Sequence, residues 1–135
     1  MPVTTDFVTT LGLEVESVSA ERASARLIVG EQHLQPFGVV HGGVYAAIGE
    51  TLASLGAHSA VQAHGDGMAV VGLENHTSFL RTVGVGATVV AEAVPVHSGR
   101  RVQLWAVTMS DAATGRGLAT STVRLLVVDP ATLPR

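Results

Sequence analysis

The chain has 135 residues, a formal net charge of −3 and no cysteine. That length can bury a core without a disulfide, and the missing thiols remove a cysteine nucleophile, a cysteine-ligated metal and a disulfide framework from consideration. Its eight basic residues, all arginine, do not outweigh the acids, which excludes the broad basic face that nucleic acid binding needs.

No repeat, low-complexity run or linker divides the sequence, so residues 1–135 are expected to form a single domain. The start, Met1-Pro-Val-Thr-Thr-Asp6, has neither a basic nor an apolar leader region. No run reaches the roughly 18 apolar residues of a membrane span, which predicts a cytoplasmic protein off the membrane. Thr5 to Leu11, closed by Gly12, reads as a short helix or turn. Strands follow over Leu13–Ser19 and Ala23–Val29, where apolar and polar residues alternate imperfectly.

A long helix is predicted over about Gly42–Gln62, ended by Gly65-Asp66-Gly67. Val44, Ala47, Ile48, Thr51, Leu52 and Leu55 fall at helical spacing and read as its buried stripe. The other side, with Ala46, Gly49, Ala53, Gly56 and Ala57, is also uncharged, so the helix is expected to be enclosed on most sides. Four more strands are predicted over Ala69–Leu80, Thr88–Val96, Arg101–Ser110 and Leu118–Val128. Ser98-Gly99 and Ala112-Ala-Thr-Gly115 are the turns that join the last three as hairpins. One long helix among about six mostly consecutive strands gives an α+β fold with an antiparallel sheet wrapped around the helix.

The chemistry concentrates around that helix. From His41 to His64, Glu50 is the only formal charge. Withdrawing an unpaired carboxylate from water costs several kcal/mol, about what function must repay, unless the group escapes to solvent or finds a partner. Ahead of it stands Gln35-Pro-Phe-Gly-Val-Val-His-Gly-Gly43, whose Gly42 and Gly43 can present bare backbone N–H groups at the helix start. Ser54, one turn after Glu50, could orient the carboxylate or a water, although a lone helical serine more often bonds its own backbone. His33, His58, His64, His76 and His97 show no metal-ligand spacing, so no metal site is expected.

Gln35-Pro36-Phe37-Gly38, His41-Gly42-Gly43, Glu50 and Ser54, in this order and spacing, resemble the hotdog-fold acyl-CoA thioesterases. The closest likeness is to the branch with a catalytic Glu on the central helix, which includes 4-hydroxybenzoyl-CoA and 1,4-dihydroxy-2-naphthoyl-CoA thioesterases, within the superfamily that also holds the phenylacetate-pathway enzymes. Val71-Gly72-Leu73-Glu74 and His97-Ser-Gly-Arg-Arg101 extend the resemblance over about Leu11–Val128. It implies an acyl-CoA hydrolase acting on a small or aromatic acyl group, with no cofactor, since CoA is part of the substrate.

The roles it implies match the residue chemistry. Gly42 N–H, favoured by the helix dipole, would polarise the thioester carbonyl, and Gln35 would add a donor to the same oxygen. Glu50 would attack as nucleophile or activate water as general base, and the sequence leaves both routes open. Ser54 would hold the water or Glu50, and His41 would orient water or ease thiolate departure. Gly43, Asn75, His76, Thr77 and Phe79 are candidates to line the acyl pocket. Arg100 and Arg101 beside Ser98-Gly99, together with Arg81, are candidates to grip the CoA phosphates, although arginines at a hairpin tip are commonly just solvated.

Gly42 and Glu50 lie eight residues apart, roughly 12 Å along one helix, which is too far for one carbonyl to touch both. The implied site therefore joins Gly42 of one subunit to Glu50 of another in a homodimer, with Ala46, Gly49 and Ala53 letting the two helices approach. The resemblance adds that dimers pair into tetramers. Other readings of the same pocket are an acyl-CoA binding or regulatory protein without turnover and, less well matched, a hydroxyacyl-thioester dehydratase.

Overall fold

The computed structural model describes residues 6–134. Met1–Thr5, including the start of the first expected element, lie outside the described residues. α1 (Phe7–Leu11) begins where the Asp6 carboxylate accepts the Thr9 N–H at 2.8 Å and ends on Gly12 at φ 80°, a left-handed position that glycine takes without strain. Strands β1 (Glu14–Val18) and β2 (Ala23–Ile28) form a hairpin, and a 3-10 turn at Glu31–His33 leads towards α2 (Gly42–Gln62). Then come β3 (Ala69–Phe79), β4 (Thr88–Ser98), β5 (Val102–Asp111) and β6 (Gly117–Val128).

The six strands make one antiparallel sheet in the order β1-β2-β4-β5-β6-β3. Helix α2 touches every strand, so the sheet wraps the helix in the hotdog arrangement. The β4–β5 and β5–β6 hairpins turn where the glycine signals stand, with Gly99 N–H donating to Val102 O and Gly115 N–H to Asp111 O. β3 departs from the consecutive pattern. It leaves α2 and takes the far edge, pairing among the described residues with β6 alone. Residues 80–87 then return the chain to β4, held by Val40 N–H to Val83 O and Gly86 N–H to Val29 O.

The buried side of α2 is not the stripe predicted from spacing. Ile48 and Leu52 are buried as expected, but their companions are Tyr45, Gly49, Ala53, Gly56, Ala57, Ala60 and Val61, whereas Val44, Ala47, Thr51 and Leu55 are only half-buried. A helix that is apolar all round offers no contrast from which to phase its inner face. Side-chain volume settles it instead, because the small residues let the helix sink onto the sheet. A Cβ on Gly56 would collide with the Trp105 ring, and one on Gly49 with Ser121. Gly49 and Ala53 are therefore used against this chain's own sheet, and not for the approach of a second helix. Trp105, fully buried, fills the space over Gly56 and donates its indole N–H to buried Gln103 Oε1 at 2.8 Å.

Candidate active site

Helix α2 starts at His41, whose backbone is extended and whose Nδ1 accepts the Gly43 N–H at 2.8 Å. The His41 N–H itself donates to His33 O, and Val44 N–H turns back to His41 O. Gly42 N–H is thus left with no acceptor among the described residues. A bare amide at a helix N-terminus, where aligned peptide dipoles leave about half a positive charge, is suited to an oxygen that gains negative charge. The Phe79 ring lies across this point, and a Cβ on Gly42 would stand 2.7 Å from its Cζ. Phe79 is 59% exposed and tilts against Tyr45, with ring centroids 6.3 Å apart. The Tyr45 hydroxyl donates to Arg81 O at 3.2 Å, and its pKa is raised, by burial first and then by the Asp111 charge, so it remains a neutral phenol.

Gln35 borders the same cavity, of about 410 Å³, with Val40, Gly42, Tyr45 and Phe79. Its carboxamide oxygen accepts the Phe37 N–H, while Gly38 N–H donates to Gln35 O, so the side chain closes the loop that delivers the chain to α2. The turn needs Gly38 at φ 83°.

Glu50 sits further along α2 on the side towards β3. It is half-buried, and its Oε1 accepts from Asn75 Nδ2 at 3.3 Å. The same amide donates to Ala46 O at 3.0 Å. Glu50 Oε2 occupies the space where a Cβ on Gly72 would be, so β3 carries a glycine directly beneath the carboxylate. Gly72 and Asn75 can both face the helix only because β3 is irregular between them. Gly72 pairs with Leu125 and Glu74 with Arg124, leaving Leu73 as an extra residue. A bulge of this kind shifts the alternation of side chains by one position. Val70 and Gly72 face α2 before it, and Asn75, Thr77 and Phe79 after it.

Alternation sends His76 and Ser78 to the other face of β3, where both are exposed, so His76 does not join the residues gathered at Glu50. Ser54 borders a separate cavity of about 300 Å³ with Val8, Thr51, Leu55, His58 and Val70, and makes no hydrogen bond to Glu50. Gly43 faces outwards beside His41, on a cavity of about 420 Å³ that includes Leu11, His33 and Val44. Ser98, Gly99, Arg100 and Arg101 stand at the opposite end of the molecule, where Gly99 and Arg100 line a cavity with His64, Asp66 and Met68 beyond the end of α2. Arg81 remains at the Gly42 end, its guanidinium donating to Gly117 O at 2.9 Å. Within one chain the candidates thus form separate groups: the Gly42 amide with Gln35, His41, Tyr45 and Phe79; Glu50 with Gly72 and Asn75; and the arginine tip.

Sequence reading missed the part played by Gly72, which became visible only through the bulge, and by Tyr45 and Ser121, which carry no local signal that sets them apart. Among the described residues no cluster of His, Asp and Glu is placed to hold a metal ion, and no helix is long and apolar enough to cross a membrane.

This geometry has close counterparts. The sequence pattern of the Thioesterase superfamily matches residues 37–118. Rv1847 of Mycobacterium tuberculosis is 45% identical over 123 residues, covering 91% of this chain and 86% of that one. Its solved structure superposes with a TM-score of 0.85 over 95% of this chain and 98% of that chain. The crystal structure of thioesterase HI1161 from Haemophilus influenzae has a TM-score of 0.84 at 32% identity, over 93% of this chain and 85% of that one. The 1,4-dihydroxy-2-naphthoyl-CoA hydrolase of Listeria monocytogenes is 35% identical over 102 residues, 76% of this chain and 80% of its own length. The fold, the family pattern and these relatives agree: the chain belongs to the Thioesterase superfamily and is a thioester hydrolase.

Proposed function

We propose that the protein hydrolyses a small or aromatic acyl-CoA to the free acid and CoA, with Glu50 as nucleophile or general base and the Gly42 N–H as the donor to the thioester oxygen. The observation that carries this reading is the pairing of an unpartnered helix-start amide at Gly42 with a half-buried carboxylate at Glu50 that a side-chain amide holds in place. Relatives named as 1,4-dihydroxy-2-naphthoyl-CoA enzymes support a CoA ester as substrate.

In the reaction, the carbonyl oxygen gains charge as the carbon becomes tetrahedral, and an amide already aimed at it lowers the barrier because nothing must reorient. Glu50 either adds to the carbon, giving an anhydride that water then opens, or takes a proton from the attacking water. CoA leaves as a thiolate, a weak base, so the step calls on no metal and no strong acid. Gln35 and His41 shape the oxygen's surroundings, and Ser54 would hold water. Asn75 and Phe79 would line the acyl side, with the Thr77 hydroxyl turned behind Asn75, while Arg100 and Arg101 would meet the phosphates.

Gly42 and Glu50 are roughly 12 Å apart along one helix, so the working site takes one residue from each of two subunits. The outer edge of β3, which pairs with no strand among the described residues and bears exposed Leu73 and Phe79, suits pairing with a second copy, because an unpaired strand edge is a template for another. The proposed assembly is a homodimer, or two such dimers together, acting in the cytoplasm.

The test is release of free thiol from acetyl-, hexanoyl- and benzoyl-CoA. Glu50→Gln should lower kcat at least about a hundredfold, with the fold intact, as loss of a nucleophile or base does. Turnover near the parent value would reject Glu50, and tight binding without turnover would make the protein an acyl-CoA binder. Gln35→Ala and Glu50→Ala, each nearly inactive, should regain activity when unfolded and refolded together, since a heterodimer would carry one unaltered site. An inactive mixture in which heterodimers are demonstrated would place each site within one chain.

A further inference from the structure

Asn75 and Thr77 share the inward face of β3, yet Thr77 does not open onto the acyl cavity. Its hydroxyl lies 2.6 Å from Asn75 Oδ1 and 2.7 Å from Ser121 Oγ, and Ser121 is 3% exposed, pressed beneath Gly49 of the helix. The direction of every bond in this chain follows by elimination. Ala46 O can only accept, so the Asn75 atom that meets it is the NH2 group. Asn75 Oδ1 is therefore turned to Thr77 and can only accept, so the single Thr77 proton goes there. With that proton used, Ser121 must donate to Thr77. The result is one directed series, Ser121 O–H to Thr77 O–H to Asn75, whose remaining amide N–H points at Glu50 Oε1.

Resting on the reading of Glu50 as the reactive carboxylate, we infer that Thr77 and Ser121 are positioning residues for catalysis, holding the Asn75 amide in the one orientation that presents a donor to Glu50. The last link is the longest, 3.3 Å against 2.6 and 2.7 Å for the two before it, so it is the first to be lost if the amide tilts. Thr77 secures the Oδ1 end, which otherwise has no donor among the described residues. Without its hydroxyl, the amide pivots on Ala46 O alone and Glu50 can swing away from the reacting carbon. A misplacement of about 1 Å is enough to cost orders of magnitude in rate. Ser121 acts one step further back. It needs a glycine at position 49, because a Cβ there would occupy its place.

The experiment compares kcat and KM of Thr77→Val, Thr77→Ser and Ser121→Ala with the parent, on whichever of acetyl-, hexanoyl- and benzoyl-CoA the parent cleaves fastest, with Glu50→Gln measured alongside. Thr77→Val should lower kcat about tenfold with KM within twofold. Thr77→Ser, which restores the hydroxyl, should recover to within twofold of the parent, and Ser121→Ala should lose about threefold. Melting temperatures identify any loss due to unfolding, and if Thr77→Val does not fold, the contrast between Ser121→Ala and Thr77→Ser decides. Parent-like kcat in folded Thr77→Val and Ser121→Ala, or equal losses in Thr77→Val and Thr77→Ser, overturns the positioning role. If that happens while Glu50→Gln is inactive, the thioesterase reading stands and only this inference falls. An active Glu50→Gln overturns both.

Discussion

Helix α2 meets the sheet through glycines at two places for different ends. Gly49 and Gly56, on its inner side, admit Ser121 and Trp105 and let the helix settle onto the middle of the sheet. At the helix start and on the edge strand, Gly42 and Gly72 leave room for Phe79 and the Glu50 carboxylate. The first pair is deeply enclosed and its first return is packing, most plainly at Gly56, while Gly49 also makes the room that Ser121 needs. The second pair borders exposed residues at the rim of the sheet, and its return is a reactive group held in a defined place. The same missing Cβ thus serves stability in one region and function in the other, and the two should be separable by substitution.

The largest effect should come from Gly72→Val. The new side chain would occupy the position of Glu50 Oε2, so kcat should fall about a hundredfold. The melting temperature should move little, because Gly72 lies on an exposed stretch of the edge strand. Thiol-release kinetics alongside thermal melting check this, and a variant that loses stability but keeps its kcat would erase the distinction between the two regions. Gly56→Ala should do the reverse. Forcing a methyl against buried Trp105 costs on the order of 1–3 kcal/mol, so the melting temperature should drop by roughly 5–10 °C, while kcat per folded molecule stays near the parent value.

Glu92→Gln, far from both regions, provides the smallest effect. The Arg22 guanidinium donates to Glu92 at 2.8 Å and, mainly through that hydrogen bond, holds the carboxyl below its ordinary pKa. A depressed carboxyl contributes stability that is present above its unfolded pKa and is lost as pH falls through the lower folded value. Parent and variant should therefore differ slightly in melting temperature at pH 7 and converge under acid conditions. The difference should also shrink with added salt, since the pair is exposed. A large shift would mean that the outer face of the sheet matters more than the packing under α2.

What could be read from the sequence follows from which signals are local. The helix and all six strands fall close to their predicted ranges, because glycine turns and apolar periodicity are properties of neighbouring residues. The place of β3 could not be read, since pairing with β6 spans a long stretch of chain and leaves no local mark. Nor could the inner face of α2, where apolar residues on every side hide the phase and the deciding fact is a Trp on another strand. Glu50 and Gly42 stood out as a lone charge and a glycine pair. Asn75 and Thr77 were legible as polar candidates for the pocket, but their partners depend on a one-residue irregularity that regular alternation does not foretell.

That irregularity has a consequence for how the sequence can vary. β3 behaves as two rulers joined with a half-step offset at Leu73, and the residues under the helix are selected by counting along each ruler. Leu73 itself is 53% exposed and turned away from the site, and its contribution under the helix is to be one residue long. For the site, exchange of Leu73 for another side chain should be tolerated, and so should its deletion, because Gly72 and Asn75 would then be two positions apart in a regular strand and would still share a face. Regular pairing of the full-length strand is what would turn them to opposite faces and part the carboxylate from its amide. In this stretch it is the bulge, and not the side chain it sets aside, that decides what meets the helix.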